Sequence, residues 1–198
     1  MIKRLFDIVF SLIGIIILLP VFFIISVLII IDSGGGIFYL QIRVGKNNKD
    51  FKLFKFRTMK TGSEKKGLLT VGNKDSRITR AGLWLRNYKL DELPQLFNVL
   101  AGDMSLVGPR PEVRKYVELY SPEQMKVLSV KPGITDNASI EYADENELLS
   151  AHSEPEKFYI SEVMPAKLHI NLKYIANQSL AEDFKIILKT FFRILKKR

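Results

Sequence analysis

The chain has 198 residues, of which 30 are Lys or Arg and 21 are Asp or Glu, so its formal net charge is +9. This length fits one ordinary domain, and a hydrophobic fraction of 47% with 26% charged residues excludes a disordered chain and a polytopic membrane protein. The chain has no cysteine, which excludes disulfides, a thiol nucleophile and cysteine-ligated metal sites. The excess of positive charge predicts an anionic partner: phosphates, nucleic acid or an acidic membrane surface.

The first predicted element is a membrane segment. Residues 8–31 contain no charged side chain, and as a helix they would extend about 36 Å, enough to cross a hydrocarbon core of about 30 Å. Pro20, near the middle, removes a backbone donor and predicts a kink or break. Basic residues precede the segment and a strongly basic stretch, residues 43–66, follows it, so the positive-inside rule favours both ends on the cytoplasmic side. On the residues alone, a spanning helix and a re-entrant helix, which enters and leaves the same leaflet, remain equally supported.

The middle of the chain predicts a small, mostly helical body. Apolar-rich runs at residues 38–42 and 51–56 flank a Gly-Lys-Asn-Asn turn and predict a β-hairpin. The Gly-, Ser- and Lys-rich residues 61–73 predict a mobile loop. Helices are predicted over residues 78–88, 93–100, 112–119, 122–128 and 143–150, with one or two more within 155–177. The fold class is therefore mostly α with a small β-hairpin (α+β), in one functional domain that follows the membrane helix of residues 1–33.

Residues 180–198 predict an amphipathic C-terminal helix. Apolar side chains recur at helical spacing, and six basic residues supply the polar side. This pattern is typical of a helix that lies in the interface of an anionic membrane, and a core-packing helix with a solvated basic face is the alternative. The acidic stretch at residues 141–162 predicts a solvated face.

One stretch carries candidate chemistry. Asp91 and Glu92 come just before Pro94, and a proline is favoured in the first turn of a helix. One of the two acids is therefore predicted to cap this helix, where the helix dipole favours an ionised carboxylate, which can act as a nucleophile or hold Mg²⁺. Basic residues that could clamp phosphate oxygens are Lys55, Arg57, Arg86 and Arg110. Since adjacent acids often lie at a solvated helix start, these residues alone support only a membrane-associated phosphate binder.

Several motifs follow one another in a distinctive order. They are Lys-Arg-Leu-Phe-Asp at residues 3–7, the block 38–59 with Lys-Phe-Arg-Thr-Met, Leu-Asp-Glu-Leu-Pro-Gln-Leu at 90–96, Gly-Asp-Met-Ser at 102–105, Gly-Pro-Arg-Pro at 108–111 and Lys-Pro-Gly-Ile-Thr at 131–135. In this order they resemble the bacterial sugar transferases, which are monotopic polyprenyl-phosphate phosphoglycosyl transferases. The resemblance covers essentially the whole chain and corresponds to the minimal catalytic form.

The resemblance implies a reaction and a location. A sugar-1-phosphate moves from a UDP-sugar to a polyprenyl (undecaprenyl) phosphate, UMP is released, and Mg²⁺ is the expected cofactor. This is the first membrane step of surface-glycan assembly, at the cytoplasmic face of the bacterial inner membrane. The family's membrane element is a re-entrant helix broken at a proline, which Pro20 matches. The implied partners are the two substrates and anionic membrane lipid; an oligomer is possible and no nucleic-acid partner is expected.

The resemblance also implies roles for individual residues. Asp91 matches the nucleophile that forms a covalent aspartyl-phosphosugar intermediate, and Glu92 matches its dyad partner, with both as candidate Mg²⁺ ligands. Positions that match basic or acidic residues around the substrate phosphates are Lys55, Arg57, Arg77, Arg86, Arg110 and Asp183. The catalytic body is residues 34–198.

Some features leave alternatives open. After Thr135 the sequence departs from the pattern of many members, so the identity of the sugar is open. Asn171 lies where many members have Asp, and no role is assigned to it. Two other functions remain: the same transfer by direct attack of the lipid phosphate, and a non-catalytic, basic, membrane-anchored adaptor.

Overall fold

The computed structural model describes residues 2–63 and 75–196, and they form a mostly helical fold with two small sheets. The predicted α+β class is confirmed. In chain order the helices and strands are α1 (Ile2–Ser33), β1 (Phe38–Val44), β2 (Asp50–Phe56), α2 (Arg80–Asn87), α3 (Gln95–Ala101), β3 (Ser105–Val107), α4 (Arg114–Val117), β4 (Gly133–Thr135), α5 (Asn137–Glu141), α6 (Glu145–Ser150), α7 (Pro155–Phe158), α8 (Met164–Ala176) and α9 (Leu180–Lys196). Short 3-10 helices lie at Lys46–Asn48, Leu90–Glu92 and Gln124–Ser129, and a π-helical turn, Tyr159–Val163, joins α7 to α8.

The predicted hairpin is confirmed and slightly longer than expected. Strands β1 and β2 pair antiparallel from Phe38 opposite Phe56 to Val44 opposite Asp50. The second sheet was not predicted, because β3 and β4 have three residues each and pair in parallel across 25 intervening residues. The helix predicted over 122–128 is a 3-10 helix, and residues 64–73 of the predicted loop lie outside the described residues.

Helix α1 runs through Pro20 as one helix of 32 residues, so the predicted break is not confirmed. Beyond the proline, Phe22, Ile25 and Ile29 are buried and pack against the globular body. Each fully buried apolar side chain stabilises by about 1.5–3 kcal/mol, whereas a proline inside a helix costs about 3 kcal/mol. Packing of the second half therefore offsets the missing hydrogen bond and keeps the helix continuous.

Both ends of α1 are attached to the same body. Near its start, Arg4 donates to two carbonyl groups at the end of α3, at 2.5 and 2.9 Å, and Asp7 accepts from the hydroxyl of Ser105 and the following amide, both at 3.0 Å. Near its end, Asp32 accepts from the backbone N–H of Ala81 at 2.9 Å, in the first turn of α2. Helix α1 therefore lies along the body, which contacts both ends of a helix about 48 Å long.

The opposite surface of α1 is apolar and exposed. Within the described residues, α1 is the one helix that is long and apolar enough to cross a membrane, judged by length and composition. The predicted C-terminal helix is present as α9, and six of the large apolar side chains that the structure describes on it are exposed. These are Leu180, Phe184, Leu188, Phe191, Phe192 and Ile194. The apolar side of α9 is therefore largely unburied, which is unusual for a helix that packs in a core.

Two glycines bring β3 and β4 into contact beside a Pro-Arg-Pro turn. A Cβ added at Gly133 would lie 2.1 Å from the backbone nitrogen of Gly108, which no side chain can relieve by moving. The Gly133 N–H donates to the carbonyl of Pro109 at 3.0 Å, so this contact also fixes the start of the turn that carries Arg110.

We therefore expect Gly133→Ala to destabilise the protein by about 3 kcal/mol, because the backbones must separate. Gly36→Ala is the matched control, since an added Cβ there meets its nearest atom, the carbonyl oxygen of Phe38, at 3.9 Å. Denaturant unfolding of both variants measures the difference. Equal unfolding midpoints for the two variants would contradict this close contact.

Candidate active site

The two candidate catalytic acids lie in a tight turn between α2 and α3. Asp91 and Glu92 belong to the 3-10 turn Leu90–Glu92, and the Glu92 N–H donates to the carbonyl of Lys89 at 3.3 Å. Pro94 immediately precedes α3. The helix predicted over residues 93–100 is therefore confirmed, and its start differs by two residues. The turn is short and packs against α2 and β2, and Asp91 is only 7% exposed.

Glu92 is held by two cations from separate parts of the chain. Arg110, from the turn between β3 and α4, donates to Oε2 at 3.1 Å through NH1 and to Oε1 through NH2. Lys55, from β2, donates to Oε1 at 3.3 Å. Burial by itself raises the pKa of Glu92, but Arg110 and Lys55 outweigh it and hold that pKa well below its usual range. Glu92 is therefore an ionised and immobilised carboxylate.

Asp91 is different, although it is the next residue. Among residues 2–63 and 75–196, none donates a hydrogen bond to its carboxylate. Burial, and then the negative charge of Glu92, raise the pKa of Asp91, while the charges of Lys55, Arg86 and Lys89 oppose this rise. The lone pairs of Asp91 are thus available to an incoming electrophile or cation.

Two further candidate basic residues, Arg86 and Arg77, differ in how directly their charges act on the dyad. Arg86, on α2, donates through Nε to the hydroxyl of Thr58 at 3.0 Å, and its charge acts on Asp91. Burial lowers the pKa of Arg86. Arg77 is held by Asp75 through Nε, at 2.9 Å from each carboxylate oxygen, and its charge acts on Arg86. The charge of Arg86 thus acts on the dyad directly, whereas the charge of Arg77 acts on Arg86.

Arg57 and Asp183 occupy different places. Arg57 donates to the hydroxyls of Ser33 at 3.0 Å and Thr61 at 3.3 Å, so it connects the end of α1 to the segment after β2. Asp183, which is 1% exposed, accepts from Lys3 and from the hydroxyl of Tyr174, both at 2.5 Å. In the part of the chain that the structure describes, neither residue contacts the dyad, and Asp183 instead connects the start of α1 to α9.

Two polar residues that the sequence did not single out support the site. Asp136 is buried and accepts from the backbone N–H of Arg110 at 2.7 Å, while its other oxygen caps α5. Asn98 is fully buried on α3; it accepts from the N–H of Phe54 at 2.9 Å and donates to the carbonyl of Lys52 at 2.7 Å. Asp136 thus fixes the turn that carries Arg110, and Asn98 fixes the strand that carries Lys55. The Asp-Asn-Ala-Ser sequence at 136–139 is a helix-capping pattern and could have revealed Asp136.

A metal ion at this site would need ligands from the substrate. The described residues contain no group of three or more His, Asp or Glu side chains that could hold a metal ion. Mg²⁺ is commonly bound by one or two carboxylates together with substrate phosphates, and it retains several waters. Asp91 and Glu92 fit such a site, because no residue in the described part of the chain donates a hydrogen bond to Asp91 and each carboxylate oxygen can accept more than one partner.

Comparison with known proteins shows the family to which the chain belongs. The model of the family described as bacterial sugar transferase matches residues 1–197. The chain belongs to this family. The match includes α1, the dyad turn and α9, so the membrane-type helix and the charged site are both part of the family domain.

Three relatives show how far the similarity extends. A protein of Bacillus subtilis strain 168, provisionally named an undecaprenyl-phosphate N-acetylgalactosaminyl 1-phosphate transferase, is 49% identical over 122 residues, 62% of this chain and 68% of the relative. The UDP-N-acetylgalactosamine-undecaprenyl-phosphate N-acetylgalactosaminephosphotransferase of Aeromonas hydrophila is 39% identical over 98% of this chain but 44% of its own length. The exopolysaccharide production protein PSS of Rhizobium leguminosarum bv. phaseoli is 37% identical over 95% of this chain and 92% of its own length. The chain thus spans less than half of the Aeromonas relative.

Proposed function

We propose that this protein transfers a sugar-1-phosphate from a UDP-sugar to a polyprenyl phosphate through a covalent intermediate on Asp91. The observation that carries the proposal is the asymmetry of the dyad: Glu92 is fixed by Arg110 and Lys55, whereas Asp91 is buried without a hydrogen-bond donor among the described residues. A nucleophile needs free lone pairs, and its partner needs a fixed position. The names of the relatives support undecaprenyl phosphate as the acceptor and UDP-N-acetylgalactosamine as the first donor to test.

The proposed reaction has two displacements at the phosphorus next to the sugar. In the first, an Asp91 oxygen forms a bond to this phosphorus, the bond to the bridging oxygen breaks, and UMP leaves with the electron pair. In the second, an oxygen of the polyprenyl phosphate bonds to the same phosphorus, and the bond to Asp91 breaks and restores its carboxylate. The product is a polyprenyl diphosphate sugar. Two steps with a fixed nucleophile avoid the direct encounter of two anionic substrates.

The cations around the dyad stabilise charge during both steps. Arg110 and Lys55 neutralise Glu92 and leave donor groups near the transferring phosphoryl group, and Arg86 provides positive charge beside Asp91. Asp91 and Glu92 would hold Mg²⁺, which would neutralise the donor diphosphate when bound. The positions of these side chains depend on Asp136 and Asn98, because those residues fix the backbone segments that carry Arg110 and Lys55.

We also propose that α1 is re-entrant, bent at Pro20 without interruption of the helix, and that the body lies on the cytoplasmic face of the bacterial inner membrane. A spanning helix would separate its two ends by the thickness of the bilayer, yet Asp7 and Asp32 both bind the same body. The exposed apolar side chains of α1 and α9 are the surfaces that would enter the lipid. The basic residues of α9 would contact anionic headgroups, each contributing about 1 kcal/mol near the surface.

Single cysteines test this topology, because the natural chain contains none. We expect Ile2→Cys, at the exposed start of α1, and Lys49→Cys, in the hairpin, to react with a membrane-impermeant maleimide in inverted inner-membrane vesicles but not in intact spheroplasts. Ile17→Cys, exposed in the middle of α1, is the matched control and should be protected in both preparations. Labelling of Ile2→Cys and Lys49→Cys from opposite sides of the membrane would show a spanning helix instead.

The reaction is tested by UMP release from the purified full chain. Undecaprenyl phosphate and Mg²⁺ are supplied with UDP-N-acetylgalactosamine, UDP-glucose and other UDP-sugars in turn. We expect UMP with at least one donor, and loss of the activity when the metal is chelated. A chain that releases no UMP with any donor would be a membrane-anchored adaptor. UMP release that strictly requires the acceptor, with no adduct on the protein, would indicate direct attack by the lipid phosphate.

A further inference from the structure

Lys89 has a backbone conformation that is unfavourable for its residue type. Its φ and ψ are 57° and 20°, in the left-handed region, directly after α2 and two residues before Asp91. Glycine is the residue most often found in this position after a helix, because a Cβ crowds the backbone there. Strained positions of this kind cluster at functional sites, so the side chain of Lys89 is the feature to explain.

Lys89 is exposed, and its ammonium group has no partner in the described part of the chain. Within residues 2–63 and 75–196 it makes no hydrogen bond or ion pair, although its charge reaches both Asp91 and Glu92. The cations nearer the dyad are engaged, since Lys55 and Arg110 bind Glu92. Lys89 is therefore a free positive charge at the edge of the site.

The surroundings of Lys89 indicate which phosphate reaches it. The adjoining turn of α2 exposes Leu83, Trp84 and Tyr88 by 39, 48 and 43%, and the two rings lie 5.5 Å apart. Exposed Trp and Tyr are typical of the boundary between lipid and water. Asp32, at the end of α1, binds the first turn of α2, so α2 begins beside the end of the long apolar helix. Along the chain, Lys89 thus lies between the exposed rings of α2 and the dyad.

We propose that Lys89 binds the phosphate of the polyprenyl acceptor where the lipid enters the site. This inference rests on the proposed function and names the residue that receives its second substrate. The acceptor arrives from the membrane, whereas the UDP-sugar is water-soluble and does not need an aromatic interface. An ammonium on a flexible stem suits a monoester phosphate whose lipid tail leaves its approach variable. Its charge also reduces the repulsion between this phosphate and the phosphosugar on Asp91.

The test separates the two half-reactions in neutral detergent, where no anionic lipid is present. Lys89→Asn and Lys89→Gly remove the charge and tolerate the left-handed conformation, and Lys89→Arg keeps the charge. With the two neutral variants we expect the KM for undecaprenyl phosphate to rise about tenfold, the effect of losing one charge-assisted hydrogen bond. We expect adduct formation from the UDP-sugar alone to stay within about twofold, and Lys89→Arg to stay close to the natural protein. Lys126→Asn, at an exposed lysine paired with Glu123, is the matched control.

Any other outcome contradicts this role for Lys89. If adduct formation slows as much as the second step, Lys89 acts on the UDP-sugar and not on the acceptor. If the KM for undecaprenyl phosphate is unchanged, Lys89 does not bind the acceptor. A defect that appears only with vesicles of anionic lipid would make Lys89 a headgroup contact. The thermal midpoint of Lys89→Gly should equal or exceed that of the natural protein, and a lower midpoint would refute the strained conformation. Failure of the proposed function itself would appear differently, as absence of UMP release by the natural chain.

Discussion

Replacing Asp91 by asparagine should lower UMP release by about 10⁴-fold or more while the protein remains folded. The amide keeps the shape of the side chain but cannot attack phosphorus, so both displacements are lost together. No described residue donates a hydrogen bond to this carboxylate, and burial raises its pKa, so a neutral amide loses no hydrogen bond and is tolerated at this buried position. The measurement is the rate of UMP release at saturating substrates, beside a thermal unfolding curve.

Glu92→Gln is the sharpest comparison for this prediction. It removes the charge that Arg110 and Lys55 surround, so we expect most turnover to be lost and stability to fall by about 3 kcal/mol. The nucleophile remains, so some adduct from the UDP-sugar alone is still expected. Adduct lost only in Glu92→Gln, and retained in Asp91→Asn, would mean that the two roles are exchanged.

Arg110→Lys should lower kcat by about 10²-fold without unfolding the protein. Lysine keeps the positive charge but replaces a planar fork that reaches both oxygens of Glu92 with a single ammonium. Glu92 then loses its fixed orientation, and a displacement of about 1 Å in a positioned catalytic group can reduce the rate by this factor. Steady-state kinetics at saturating substrates measure the effect.

The control for this variant is another arginine-to-lysine change at an ion pair. Arg114 binds Asp50 on the surface, where both side chains are more than a third exposed, and Arg114→Lys should change kcat by less than twofold. Similar losses in both variants would mean that the fork geometry at Arg110 has no special role. Loss of folding in Arg110→Lys alone would make Arg110 a structural residue.

The elements that were predicted well are those whose signal is local. The hairpin has apolar residues on both strands around a Gly-Lys-Asn-Asn turn, and its register follows from that turn. The helix that follows Asp91 and Glu92 was predicted to within two residues because a proline favours a helix start, but its N-cap is Pro94 and not one of the two acids. Helix α9 was predicted from its period, and the exposure of Phe184 and Leu188 agrees with the amphipathic pattern.

The elements that were missed depend on contacts between distant segments. Strands β3 and β4 form because Gly108 and Gly133 allow two backbones to approach. No local sequence pattern indicates that these two glycines contact each other. The continuity of α1 past Pro20 depends on packing of Ile25 and Ile29 against the body, which overrides the local effect of proline. A local rule therefore fails where burial contributes a comparable free energy.

For the site, residue types were easier to predict than partners. Lys55, Arg86 and Arg110 were predicted from the sequence to act with the dyad, and the structure places these three residues beside it. It could not show that Arg110 and Lys55 are engaged by Glu92 while Asp91 is left without a donor in the described segments, because this depends on side-chain geometry. Asp183 was included through the resemblance, and the structure pairs it with Lys3 at the start of α1.

The most direct test of the covalent mechanism is the location of the phosphosugar on the protein. The natural chain is incubated with a UDP-sugar and Mg²⁺ without acceptor, quenched and digested, and the peptides are analysed by mass spectrometry with fragmentation that retains labile phosphates. We predict one added phosphosugar on the peptide that contains Asp91, which disappears when undecaprenyl phosphate is added before the quench. Release of UMP upon addition of the acceptor, with no modified peptide at any time in its absence, would contradict Asp91 as the nucleophile.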